Sequence, residues 1–230
     1  MPSALPTPRA ARTDRERRHQ AIANSVTHGV GALLSVAGLV LMVLAAARQS
    51  SPLGVVCASV FGASLVLLYA ASTLLHAMPE GPAKLVFEHL DLSAIFVLIA
   101  GTYTPFTLLV LRGPLGWSLF GVVWGLALAG IILAAVFPAR FERVASYIYL
   151  AMGWIVVGAI YPLAHALGGP GVSLLVAGGL FYSVGVVFFL WQRWLHHHAI
   201  WHVFVLLGSF CHFCAVMFYV LPDLGRFTAR

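Results

Sequence analysis

Apolar runs of about 20 residues, each closed by a short Gly, Pro or Arg break, recur along the whole chain and leave very few folds open to it. They lie near residues 26–47, 53–76, 90–111, 115–137, 144–165, 171–191 and 199–221. A hydrocarbon layer of about 30 Å is crossed by about 20 apolar residues in helical form. Within lipid every backbone N–H and C=O has to be satisfied inside the segment, which a helix achieves by itself. The pattern predicts an all-α fold: an integral membrane bundle of seven transmembrane helices. Its breaks fall at Ser51-Pro52, 79–82, 112–114, 138–143, 168–170 and 193–197, all rich in turn residues. With 61% hydrophobic and 9% charged residues, the chain is too poor in charge for a water-soluble domain.

Residues 1–18 carry Arg9, Arg12, Arg15, Arg17 and Arg18 and are expected to form a disordered basic tail. Residues 19–222 then make up the membrane domain and 223–230 a short C-terminal tail. If the N-terminus is cytoplasmic, the tail shares its side with Lys84, Arg140, Arg143 and Arg193. That gives nine Lys and Arg inside against four outside, Arg48, Arg112, Arg226 and Arg230. Because cytoplasmic loops collect basic residues, the N-terminus is assigned inside and the C-terminus outside the cell membrane. The net charge of +6 suits anionic lipid headgroups at the tail. No basic stretch is interleaved with base-stacking aromatics, so nucleic acid is excluded as a partner. Cys57, Cys211 and Cys214 lie inside apolar runs and are read as buried free thiols.

Ionisable groups are costly inside a bilayer and mark function there. His28 opens the first helix, His76 closes the second, Asp91 opens the third, and His198 and His202 open the seventh. Alternating helix direction brings all five to the same, cytoplasmic layer. His198 and His202 are four residues apart, face the same way, and are either ligands of one ion or hydrogen-bonded structural residues. With His76 they make the three nitrogen donors of an open zinc site, whose fourth position takes water. Asp91 is then the general base for that water, or a ligand itself. Ser72, one turn before His76, either bonds the water or a developing oxyanion, or packs helices. Asn24 and His28 form a supporting or substrate-positioning pair, or an interfacial cap. His196 and His197 are expected in a solvated loop, Glu88 and His89 at headgroups or water, and His165 on the opposite face. His212 either packs or lines an internal cavity, and Cys211 and Cys214 pack in the core.

Four segments occur in order: Asn24-Ser-Val-Thr27-His28-Gly29, Ser72-Thr-Leu-Leu-His76, Leu90-Asp91 with Gly101-Thr-Tyr-Thr104-Pro105, and His198-Ala-Ile-Trp-His202. Together they resemble a bacterial hemolysin III protein, of the progestin and adiponectin receptor (PAQR) family, over roughly residues 20–221. The resemblance implies a seven-helix bundle, N-terminus inside, with zinc near the cytoplasmic surface. Carried over from the adiponectin receptors, the zinc ligands are His76, His198 and His202, with Asp91 as partner of the water. The more distant alkaline ceramidases use a similar Ser, His and Asp set, which implies hydrolysis of a lipid amide. Bacterial members are also linked to cytolysis, membrane energetics and lipid homeostasis. One departure stands out: relatives place acidic residues a turn before the asparagine, whereas Gln20 and Ala21 stand here.

Three functions follow. The first is zinc-dependent hydrolysis of a ceramide-like lipid amide, with Asp91 and Ser72 in catalysis. The second is a receptor-like regulator of membrane lipid or energetics in which zinc is structural. The third, a cytolytic pore, is disfavoured because no span carries a polar, Gly-rich stripe fit to line water.

Overall fold

The computed structural model describes residues 13–141, 144–191 and 193–228, and all secondary structure among them is helical. Residues 1–12 of the expected tail, residues 229–230 and Arg143 lie outside the described residues. Helix α1 spans Asp14–Arg48, α2 Pro52–Ala77, α3 Pro82–Pro105 and α4 Gly113–Val136. A four-residue turn, α5 (Pro138–Phe141), leads to α6 (Ala145–Trp154) and α7 (Ile160–Leu190). Then come α8 (His197–Ala215) and the short α9 (Leu224–Thr228). Six helical stretches among the described residues are long and apolar enough to cross a membrane.

Two helices begin earlier than their apolar runs. Helix α1 starts at Asp14, where Thr13 and Glu16 form a reciprocal capping box, so residues 14–18 of the expected tail are helical. Helix α3 starts at Pro82 rather than near residue 90. Both extensions are polar, carrying Asp14 to Arg18 in one case and Lys84 and Glu88 in the other, and hydropathy does not register them.

The bundle is inside-out relative to a soluble protein. Leu33 is 75% exposed and Tyr161 83%, whereas Asn24, His28, Ser64, Ser72, Thr104, Thr107 and Ser209 are buried. Lipid tails solvate leucine as well as any core does, so small and polar side chains that pack closely and bond to one another share the interior with large apolar ones such as Phe61, Phe96 and Leu163. In α1 the buried positions are Asn24, His28, Gly31, Ser35, Gly38, Met42 and Ala46, one narrow stripe at helical spacing. Neighbouring helices pack in sequence, α1 on α2, α2 on α3 and α3 on α4, and α8 returns to α1. Helix α3 with its following turn is the most enclosed, 72% of its apolar window being buried against 22% in α4.

One stretch, Ala145–Leu190, is 46 residues long. Straight, it would place Trp154 and Ser183 about 44 Å apart, yet the Trp154 indole N–H donates to Ser183 Oγ over 3.0 Å. The chain folds back at Gly168, whose φ of 70° and ψ of 173° no helix contains. Beyond it, Gly171, Gly178 and Gly185 lie against Tyr219, His212 and Trp201 respectively, an antiparallel seam with α8 and the π turn, Val216–Val220, that follows it.

Pro105 has no N–H for the helical ladder, and a π turn over Phe106–Leu111 follows it. Thr102, Thr104 and Thr107 donate their hydroxyls to the carbonyls of Leu98, Ala100 and Tyr103, each one turn back, so these buried hydroxyls are satisfied within the helix. Gly116 of α4 sits on this turn, with the Thr107 carbonyl oxygen where a Cβ would be. Backbone cannot step aside as a side chain does. Gly116→Ala is therefore expected to cost about 1–3 kcal/mol, read as a lower midpoint of thermal unfolding in detergent.

Candidate metal centre

His76 sits in the last turn of α2, with Ser72 fully buried one turn before it. His198 and His202 are in the first turns of α8, and their four-residue spacing points both rings to one side. The three rings meet. Ring centroids are 5.0 Å apart for His76 and His198, 5.2 Å for His76 and His202, and 4.6 Å for His198 and His202. One nitrogen from each lies within 4.8 Å of the others, so the trio can hold a metal ion. A tetrahedral ion with bonds of about 2.0–2.1 Å sets its nitrogens about 3.3 Å apart, a modest contraction of this arrangement.

The surroundings fit a metal. His76 Nε2 is buried and has no hydrogen-bond partner, a costly state for a ring nitrogen unless something binds it. His202 is 1% exposed, and its Nδ1 lies 3.1 Å from Thr27 Oγ1 and 3.2 Å from the Asn24 carbonyl oxygen, both on α1. His28 stacks on His202 with centroids 3.4 Å apart and planes 15° from parallel. Its other neighbour is the ring of Tyr69, met edge-on at 5.0 Å. Both nitrogens of His28, and Asn24 Oδ1, are buried without partners.

Asp91, half-buried on α3, is outside the three-nitrogen group. Its carboxyl faces Ser72, close enough to interact but short of hydrogen-bond geometry, so Ser72 Oγ is left without a partner. The carboxylate thus lies beside Ser72, the residue one turn before His76.

Other polar residues divide. His196 and His165 are exposed, and His89 is exposed with its Nδ1 2.7 Å from the Leu85 carbonyl oxygen. His197 departs from the solvated loop expected for it: α8 starts at this residue, and the side chain is only 8% exposed. Cys57 is buried, Cys211 and Cys214 half-buried, and all three are free thiols. His212, half-buried, bonds the Leu175 carbonyl through Nε2 at 3.2 Å.

Three residues belong to the site's interior that no sequence motif marked. Tyr69 donates its hydroxyl to Ser209 Oγ at 2.7 Å, and Tyr182 meets the same oxygen at 2.9 Å. This knot ties α2, α7 and α8 beneath the histidines. The signal for Ser209 is its position seven residues after His202, on the same face of α8.

The chain matches the family described as haemolysin-III related over residues 16–213. It is 50% identical to Hemolysin-3 of Bacillus cereus over 201 residues, covering 87% of this chain and 92% of that protein. Against the Hemolysin-3 homolog of Bacillus subtilis (strain 168), identity is 48% over 198 residues, 86% and 93% of the two chains. At greater distance it is 29% identical over 178 residues to Heptahelical transmembrane protein ADIPOR2 of Oryza sativa subsp. japonica, 67% and 77% of the two chains. No solved structure matches it.

Proposed function

Since the chain belongs to the haemolysin-III-related family, a multi-pass membrane protein of that kind, we propose that it hydrolyses a membrane-lipid amide at a zinc ion held by His76, His198 and His202. The observation that carries this reading is the convergence of three histidine nitrogens from α2 and α8, one of them buried without a partner. Imidazole donors suit zinc, and the PAQR resemblance selects it among the metals they accept.

When bound, zinc supplies Lewis acidity that brings the pKa of water toward ~7. Asp91 would accept a proton at its carboxylate oxygen, and Ser72, on α2 beside it, would orient that carboxylate once its hydroxyl turns to it. Asn24 Oδ1 and the His28 nitrogens, buried and unpartnered, receive the polar groups of the lipid. Exposed apolar flanks let the acyl chains stay in the bilayer while the amide reaches the histidine layer.

This reading has seven crossings, N-terminus in the cytoplasm and C-terminus outside. A 46-residue stretch is far longer than the roughly 30 Å of hydrocarbon requires, and its fold-back at Gly168 divides it in two. The rice relative is itself named heptahelical, and the Lys and Arg distribution favours the basic end inside.

The test is metal analysis of the purified protein together with its reconstitution in liposomes containing ceramide. One zinc per chain and fatty-acid release that stops on chelation are expected. Protein without stoichiometric zinc, or zinc-loaded protein that releases no fatty acid from any lipid amide, refutes the hydrolase. In the second case the metal is a structural pin between α2 and α8. A fourth protein ligand closing the site would favour that alternative, whereas Asp91 stands outside the three-nitrogen group.

A further inference from the structure

We infer that Thr27 is a positioning residue for the metal centre: its hydroxyl, with the Asn24 carbonyl, fixes the tautomer and orientation of His202. The inference rests on the zinc reading above but concerns α1, which contributes no ligand.

Hydrogen-bond chemistry at His202 Nδ1 leaves one solution. The Asn24 carbonyl oxygen, 3.2 Å away, can only accept. The Thr27 hydroxyl, 3.1 Å away, has one proton and two carbonyls to give it to, those of Ala23 and Asn24, each 2.9 Å from Oγ1 and closer than the ring. Toward the ring, Thr27 therefore offers a lone pair. Both neighbours of Nδ1 are acceptors, so Nδ1 carries the N–H and Nε2 keeps its lone pair for a metal. The reverse tautomer would set the Nδ1 lone pair against the Asn24 carbonyl oxygen in a buried site and leave an N–H where the metal belongs.

Orientation is fixed as well as protonation. His28 lies flat on His202 at 3.4 Å, so the ring cannot leave its plane. A flip within that plane would carry Nδ1 away from both acceptors. Thr27 sits one residue before His28, and Asn24 one turn before, so a single stretch of α1 supplies the bond and the stack. Ligating histidines hold their free N–H on an acceptor of this kind, and losing such a partner costs about 10–100-fold in metal affinity.

The experiment uses the full chain in detergent, with zinc affinity read by chelator competition. Thr27→Val keeps the shape and removes the hydroxyl, while Thr27→Ser keeps the hydroxyl. Affinity is expected to fall about tenfold or more in Thr27→Val and to stay near wild type in Thr27→Ser. Nitrogen-15 NMR of zinc-free wild type, with His202 assigned by its loss in His202→Gln, is expected to show Nδ1 protonated. This second measurement decides the matter even where Thr27→Val does not fold. Equal affinities for wild type and Thr27→Val, or an Nε2-protonated His202 in wild type, overturn the inference and leave the zinc reading standing. A wild-type chain that binds no zinc removes that reading and the inference with it.

Discussion

His202→Ala, purified in detergent, is expected to contain no stoichiometric zinc and to release no fatty acid. The other two histidines cannot compensate. His76 and His198 alone make a two-nitrogen site, whereas catalytic zinc is held by three protein ligands. The loss should exceed the 10–100-fold attached to an outer partner such as Thr27, because a bond to the metal itself is removed. Alanine also unloads the stack with His28 and the bonds to α1, so circular dichroism should accompany the metal analysis. His76→Ala provides the control: its ring makes no bond to α1, and the same loss of zinc there assigns the effect to ligation. Zinc retained at wild-type affinity in either variant refutes the three-histidine centre.

The second large effect separates catalysis from scaffolding. Asp91→Asn is nearly isosteric and changes a residue outside the three-nitrogen group, so zinc content is expected to stay at the wild-type level. Turnover should nevertheless fall by about 10²–10⁴-fold, the usual contribution of a positioned general base. The carboxamide still meets Ser72, but its lone pairs no longer accept a proton from water. A variant that binds zinc and keeps its full cellular function shows that the ion serves structure alone.

Much of this molecule is legible in sequence because lipid imposes a simple rule on it. A run such as residues 53–76 can only be a helix, and α2 occupies Pro52–Ala77. The rule does not register polar turns. The starts of α1 at Asp14 and of α3 at Pro82 were therefore invisible to it, as was the burial of His197. His76, His198 and His202 were readable together from helix parity and a four-residue spacing. Thr27 was part of a quoted motif yet had no readable role, since its partner His202 lies 175 positions away. The same holds for Tyr69 and Ser209, 140 positions apart. Hydrogen bonds between distant helices depend on how the bundle closes, which no local pattern encodes.

The donors at His76 and His198 come from opposite ends of the chain's synthesis. Helix α2 leaves the ribosome and enters the membrane well before α8 does. Until α8 is inserted and docked, His76 is a lone imidazole with negligible hold on an ion. On the proposed three-histidine centre, metal occupancy would record completed assembly, since a chain ending before α8 could not close the coordination sphere.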